Sequence, residues 1–265
     1  MGQYVPGVIG RTWWQLFQLF AVPFALAVAL QWVGGIIRRK GVGCLGDAYW
    51  YFVAPGVACH ETGHAVGCLI TGTRIKKFVP FTREDPDTLG YVVHESRTGL
   101  WGGVASFLIA SGPVWFGCIA IATLTWLFGG VVHVANYRDY FASDTVPGVW
   151  EYSYGILSAV CGFATALFVD GTWGLGFAVW LYLAFCIASE IGLSGVDLQH
   201  MWRGGISIVV IFLLLNLIPR IGRCVSVGIF IILPYLFKFH VLMLSALVLN
   251  VVLMLTMKVL VRCVK

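Results

Sequence analysis

From Trp13 to Ile37 the chain runs 25 residues without a charged side chain. A helix needs about 20 apolar residues to cross the hydrocarbon core of a bilayer, so this run can span one with some tilt. It is too long for a signal-peptide core and no small-residue cleavage site follows it, so it is expected to be retained. Further apolar stretches occupy residues 48–70, 99–130, 155–169, 172–193, 204–219 and 224–262. The last is long enough for two passes broken around Lys238-Phe239-His240, and the 155–169 stretch is short enough to be half-buried or re-entrant. Charged residues make up 11% of the chain and hydrophobic ones 59%, whereas a soluble domain carries about a quarter charged residues. The expected fold is an all-α polytopic membrane protein, with six to eight transmembrane helices forming a single membrane domain over residues 1–265. Its natural surroundings are the lipid bilayer.

The net charge of +5 comes from dispersed basic residues, which excludes the basic stripe of a nucleic-acid binder and fits juxtamembrane anchoring. Arg38-Arg39-Lys40 is the densest cluster. Lys76, Lys77, Arg83, Arg220 and Arg223 follow other spans, so charge bias leaves the orientation open. Eight cysteines are scattered without a C-x-x-C pair, the usage of small buried hydrophobes and not of a disulfide framework or zinc ribbon. Trp13-Trp14 suits an interfacial belt, and Pro23 is expected to bend the first helix. Pro6 stands where a myristoylation signal after Met1-Gly2 wants Ser or Thr.

Two polar loops interrupt the apolar pattern. In residues 71–98, Arg74-Ile75-Lys76-Lys77-Phe78-Val79-Pro80-Phe81 leads into Thr82-Arg83-Glu84-Asp85-Pro86-Asp87, and Gly90-Tyr91-Val92-Val93-His94 follows. β-branched and aromatic residues on both sides of a turn-rich centre predict a small membrane-associated β-hairpin with a charged tip. Residues 131–154, with His133, Arg138, Asp139, Asp144 and Glu151, read as an exposed loop.

The chemistry is concentrated in His60-Glu61-Thr62-Gly63-His64, flanked by Pro55-Gly56-Val57-Ala58-Cys59 and Ala65-Val66-Gly67-Cys68-Leu69-Ile70. Imidazoles at i and i+4 share one helical face and can hold one metal ion. The Glu between them reaches the edge of that site, where it can take a proton from water at the metal. The bland alternative is a proton relay or ion site, since ionisable groups within a membrane are costly and mostly functional.

A catalytic zinc site takes three protein ligands and leaves one position open. In apolar context the candidates for the third are Asp170, Glu190, Asp197 and His200, with Cys224 an outsider. Asp170 precedes Gly171-Thr172 and is most simply a turn residue. Asp197 lies in Ile191-Gly192-Leu193-Ser194-Gly195-Val196-Asp197-Leu198, where two glycines interrupt two apolar runs. Broken backbone at membrane depth is tolerated where it lines a protein-walled cavity.

The chain resembles the site-2 protease family of intramembrane zinc metalloproteases, over roughly residues 48–205. His60-Glu61-Thr62-Gly63-His64 comes first, then Ser111-Gly112-Pro113 like the family's small-Gly-Pro signature. The family's Asn-x-x-Pro-x-x-Pro-Leu-Asp pattern overlays on Ser189 to Asp197, with Ser for Asn, Gly for both prolines and Val for Leu. The core would then be residues 48–205 with the hairpin 71–98, preceded by an N-terminal helix and loop (1–47) and followed by C-terminal helices (206–265). The resemblance implies Zn2+ held by His60, His64 and Asp197, with Glu61 as general base, and a membrane-anchored protein as substrate. It implies substrate contacts from the hairpin (Gly90, Tyr91, Val92) by strand addition, and from Ser189 at the family Asn. His200, one turn after Asp197, and Arg203 are candidates for orienting a ligand or stabilising an oxyanion; His94 reads as part of a half-exposed strand. A competing register starting at Asn216-Leu217-Ile218-Pro219 would make Cys224 the ligand.

Three rivals stand beside this expectation. One is a catalytically inactive relative that binds membrane clients, against which the intact Glu61 speaks. Another is a metal or proton transporter, against which the lack of an inverted repeat speaks. The third is an integral zinc protease of the prenyl-protein type, in which Glu190 would replace Asp197 as ligand.

Overall fold

The computed structural model describes residues 7–84, 88–128, 139–141, 149–168 and 174–264. Among them the chain is mostly helical, with one two-stranded antiparallel sheet. In order come α1 (Val8–Leu16), a π-helical turn (Phe17–Ala21), α2 (Val22–Leu45), α3 (Ala48–Thr71), β1 (Ile75–Val79), β2 (Tyr91–His94), α4 (Gly99–Ala110) and α5 (Gly112–Phe128). Then follow α6 (Val149–Phe168), α7 (Leu175–Glu190), α8 (Gly195–Leu217) and α9 (Pro219–Val264). The expected Asp170 turn, the hairpin tip at Asp85, Pro86 and Asp87, the loop residues His133, Arg138 and Asp144, and Met1, Gly2 and Pro6 lie outside the described residues.

Among the described residues, three helical stretches are long and apolar enough to cross a membrane: Leu19–Leu45, Gly195–Leu217 and Pro219–Val259. The pair α4–α5, bent by 43°, makes a fourth if it is one span. The other helices fall short of that test. The 16-residue α7 is short, and α3 carries the polar motif. Large apolar side chains face outward, among them Trp32, Leu69, Trp126 and Trp202, more greasy surface than a water-soluble monomer exposes.

Several expectations are corrected. The C-terminal run is one helix of 46 residues, about 69 Å long at 1.5 Å per residue, with no break at Lys238-Phe239-His240. His240 is instead fully buried and bonded through Nδ1 to the Tyr152 hydroxyl at 2.9 Å. Residues 155–168 of the short stretch belong to the 20-residue α6, which starts at Val149, so Glu151 is helical. Of the expected 131–154 loop, Tyr140 and Phe141 pack their rings on Phe237, and Phe141 also stacks on Tyr152. Pro23 acts locally: it offers no N–H to the carbonyl four residues back and its ring crowds that oxygen. The widened turn at Phe17–Ala21 lies just ahead of it.

One core joins α2, α5, α7, α8 and α9 through Leu30, Cys118, Trp180, Ala184, Met201 and Met243. A second ties α2 and α3 to the hairpin and α9 through Ile37, Tyr49, Val53, Leu89 and Met257. A third, between α6 and α9, is built on Ala159, Val160 and Phe237.

Candidate metal centre

α3 is held at glycines. A Cβ on Gly63 would lie 2.8 Å from the Gly112 carbonyl and from Pro113 Cα, and one on Gly67 would lie 2.8 Å from Ile109 Cα. A Cβ on Gly56 would run into the Cys186 carbonyl of α7. Lipid tails give apolar helices little reason to separate from lipid and join, so close backbone approach is how such helices gain dispersion contact. The helix ends at Gly72, whose left-handed φ of +64° suits glycine, with its N–H given to the carbonyls of Cys68 and Leu69.

This packing sets both imidazoles against backbone carbonyls of other helices. Pro113 has no N–H for the carbonyl four residues back, that of Ile109, and His64 Nδ1 donates to it at 2.8 Å. The carbonyl of Glu190, last residue of α7, is an unpaired helix-end acceptor, and His60 Nδ1 donates to it at 2.7 Å. A carbonyl only accepts, so both Nδ1 atoms carry a proton and both rings turn Nε2 inward, the atom left to ligate a metal when the ring is neutral. The two Nε2 atoms are 3.2 Å apart.

Asp197 completes the cluster. Its Oδ1 lies 3.3 Å from His64 Nε2 and its Oδ2 lies 3.6 Å from His60 Nε2. The side chain is aimed by a capping box at the start of α8: the Ser194 N–H donates to Asp197 Oδ2 at 2.9 Å, and the Asp197 N–H to Ser194 Oγ at 3.1 Å. Two imidazole Nε2 atoms and a carboxylate converge on one point, a donor set that suits a cation. The spacings also suit one: a tetrahedron with arms of ~2.05 Å has edges of about 3.3 Å. Among the described residues these three form the one group of ligand atoms close enough to hold a metal ion.

Glu61 is buried beside the cluster, and the hairpin closes on it at Gly90. A Cβ at Gly90 would lie 2.7 Å from Glu61 Cγ and 3.1 Å from Val57 Cγ1. The sheet pairs Val79 with Tyr91, Phe78 with Val92 and Lys77 with Val93, and an irregularity precedes the pairing of Ile75 with His94. Tyr91, Val92 and His94 of β2 line a cavity of about 730 Å³ together with His60, Glu61, His64 and Asp197. Ser189 also lines it but donates its hydroxyl to the Cys186 carbonyl at 2.8 Å. His200 lines it too, with the Ser106 hydroxyl donating to its carbonyl at 3.4 Å. Cys224 lies exposed on α9 and outside the ligand cluster.

Sequence reasoning missed three supporting features. The Glu190 carboxylate is not a ligand atom of the cluster; its Oε2 takes a 2.7 Å ion pair from Arg38 Nη2 of α2. Ser194-x-x-Asp197 is a capping-box pattern, visible in the sequence as the start of α8. The proline of Ser111-Gly112-Pro113 marks in advance which carbonyl lacks a donor four residues on. Comparisons with protein-family models, with curated proteins and with solved structures found no match.

Proposed function

We propose that this chain is an intramembrane zinc metalloprotease of the site-2 protease type, cleaving membrane-anchored protein substrates. The observation that carries the reading is the convergence of His60, His64 and Asp197, both imidazoles oriented by backbone carbonyls, next to a buried Glu61. The donor set of two imidazoles and one carboxylate suits Zn2+ and leaves room for a fourth ligand. Zinc bound there would lower the pKa of a water toward about 7 and polarise the scissile carbonyl.

The chain's own residues supply the rest. Glu61 takes the proton of the attacking water and hands it to the leaving nitrogen. A substrate helix must unwind before its carbonyl can be attacked, and β2 beside the cavity gives the extended segment a strand to pair with. Ser189 and His200 line the same space. In this reading α3, α7 and the bent pair α4–α5 stay within the bilayer beside the three long spans, which brings the helices at membrane depth to the six to eight expected. Glu190, paired with Arg38, speaks for Asp197 over the prenyl-protein register.

The test is Glu61→Gln in purified protein with a transmembrane substrate. Metal binding should persist while cleavage falls by about 10²–10⁴; cleavage at the wild-type rate would refute the proposal.

A further inference from the structure

Arg38 lies on α2, outside the stretch that carries the motifs, yet it reaches the metal centre in two steps. Its Nη2 pairs with Glu190 Oε2 at 2.7 Å, and the Glu190 backbone carbonyl receives His60 Nδ1 at 2.7 Å. The Glu190 side chain is 8% exposed and that of Arg38 41%. A buried carboxylate at the C-terminus of a helix opposes the helix dipole and needs a cation beside it. The same turn of α7 is gripped again by α2, where a Cβ on Gly34 would lie 2.8 Å from the Ser189 carbonyl. Arg38 and Gly34 are one helical turn apart, so a single face of α2 clamps the end of α7 through its backbone and its charge.

We propose that Arg38 is a positioning residue for the metal centre: its ion pair holds the end of α7 so that the Glu190 carbonyl fixes the tautomer and direction of His60. The proposal rests on the metal-binding reading of His60, His64 and Asp197. Without Arg38 the Glu190 carboxylate is left buried and uncompensated, the last turn of α7 shifts to reach water, and His60 loses its acceptor. Partners that orient a ligand from behind typically change metal affinity by about 10–100-fold. Arg38 stands one step further back, and roughly tenfold is expected.

The experiment compares full-length wild type, Arg38→Met, Arg38→Lys, Glu190→Gln and the Arg38→Met/Glu190→Gln double variant in detergent. Zinc affinity is read by chelator competition and the ligand field by the visible spectrum of the Co2+-loaded protein. Arg38→Met should weaken zinc binding roughly tenfold and alter the cobalt bands, with Arg38→Lys recovering most of the loss. Because the two residues act as a unit, the double variant should be no weaker than the poorer single one. Unchanged affinity and bands in Arg38→Met would overturn the proposal, as would losses that simply multiply in the double variant. If Arg38→Met fails to fold, Glu190→Gln decides: wild-type affinity and bands in that variant overturn it. A wild-type protein that binds neither metal would overturn the metal-centre reading itself, a result distinct from failure of Arg38 alone.

Discussion

Around α3, neighbouring helices approach until backbones touch, at Gly56, Gly63 and Gly67. Around the middle of α9, aromatic rings fill the space instead: Tyr140, Phe141 and Tyr152 crowd onto Phe237. The first region leaves no room for adjustment, and both histidines there reach carbonyls on other helices. The second carries a polar atom without a partner, the buried His240 Nε2. Close backbone contact is what a ligand cluster built on two helices and oriented by carbonyls of two more requires, since an error of an ångström in any crossing moves a ligand. Ring packing fills volume and holds α6 to α9, and it tolerates small changes of shape.

The sharpest way to break this contrast is Gly63→Val. Its side chain would have to displace Gly112 and Pro113, so metal binding should be lost and the fold weakened by about 1–3 kcal/mol; zinc titration and thermal unfolding in detergent measure both. Acidification comes next. Protons and metal compete for the two imidazoles, so affinity should fall on acidification, approaching about 100-fold per pH unit once both histidines protonate. An affinity flat from pH 7.5 to 5.5 would argue against imidazole ligation. Pro113→Ala is milder: it offers the Ile109 carbonyl an N–H in competition with His64, and zinc affinity should drop roughly tenfold. The smallest effect belongs to the other region. Phe237→Leu should cost about 1–2 kcal/mol of stability and leave zinc affinity within about twofold, whereas a large loss of metal would show the two regions to be coupled.

What was legible in the sequence was local. The i, i+4 histidines predict their shared face, the β-branched and aromatic flanks of a turn-rich centre predict the hairpin, and the glycines at 192 and 195 predict the break that presents Asp197. What escaped was tertiary. Arg38 and Glu190 are 152 positions apart, and nothing in either neighbourhood announces the other. Lys238-Phe239-His240 looks like a break because charge and imidazole are costly in lipid. The Tyr152 hydroxyl from α6 supplies His240 with a partner, and α9 continues through. The start of α6 reads as loop because Trp150-Glu151-Tyr152-Ser153-Tyr154 is polar enough for one, while Tyr152 packs its ring on Phe141 and Phe237.

The central claim is that one metal ion is held by three side chains brought together from α3 and α8. Zinc content of the purified protein tests it most directly, in wild type and in His60→Ala, His64→Ala and Asp197→Asn, the last of which keeps an acceptor for the Ser194 cap. The account predicts one zinc per wild-type chain and a large loss in each variant. Full zinc occupancy in Asp197→Asn, with affinity unchanged, would contradict it.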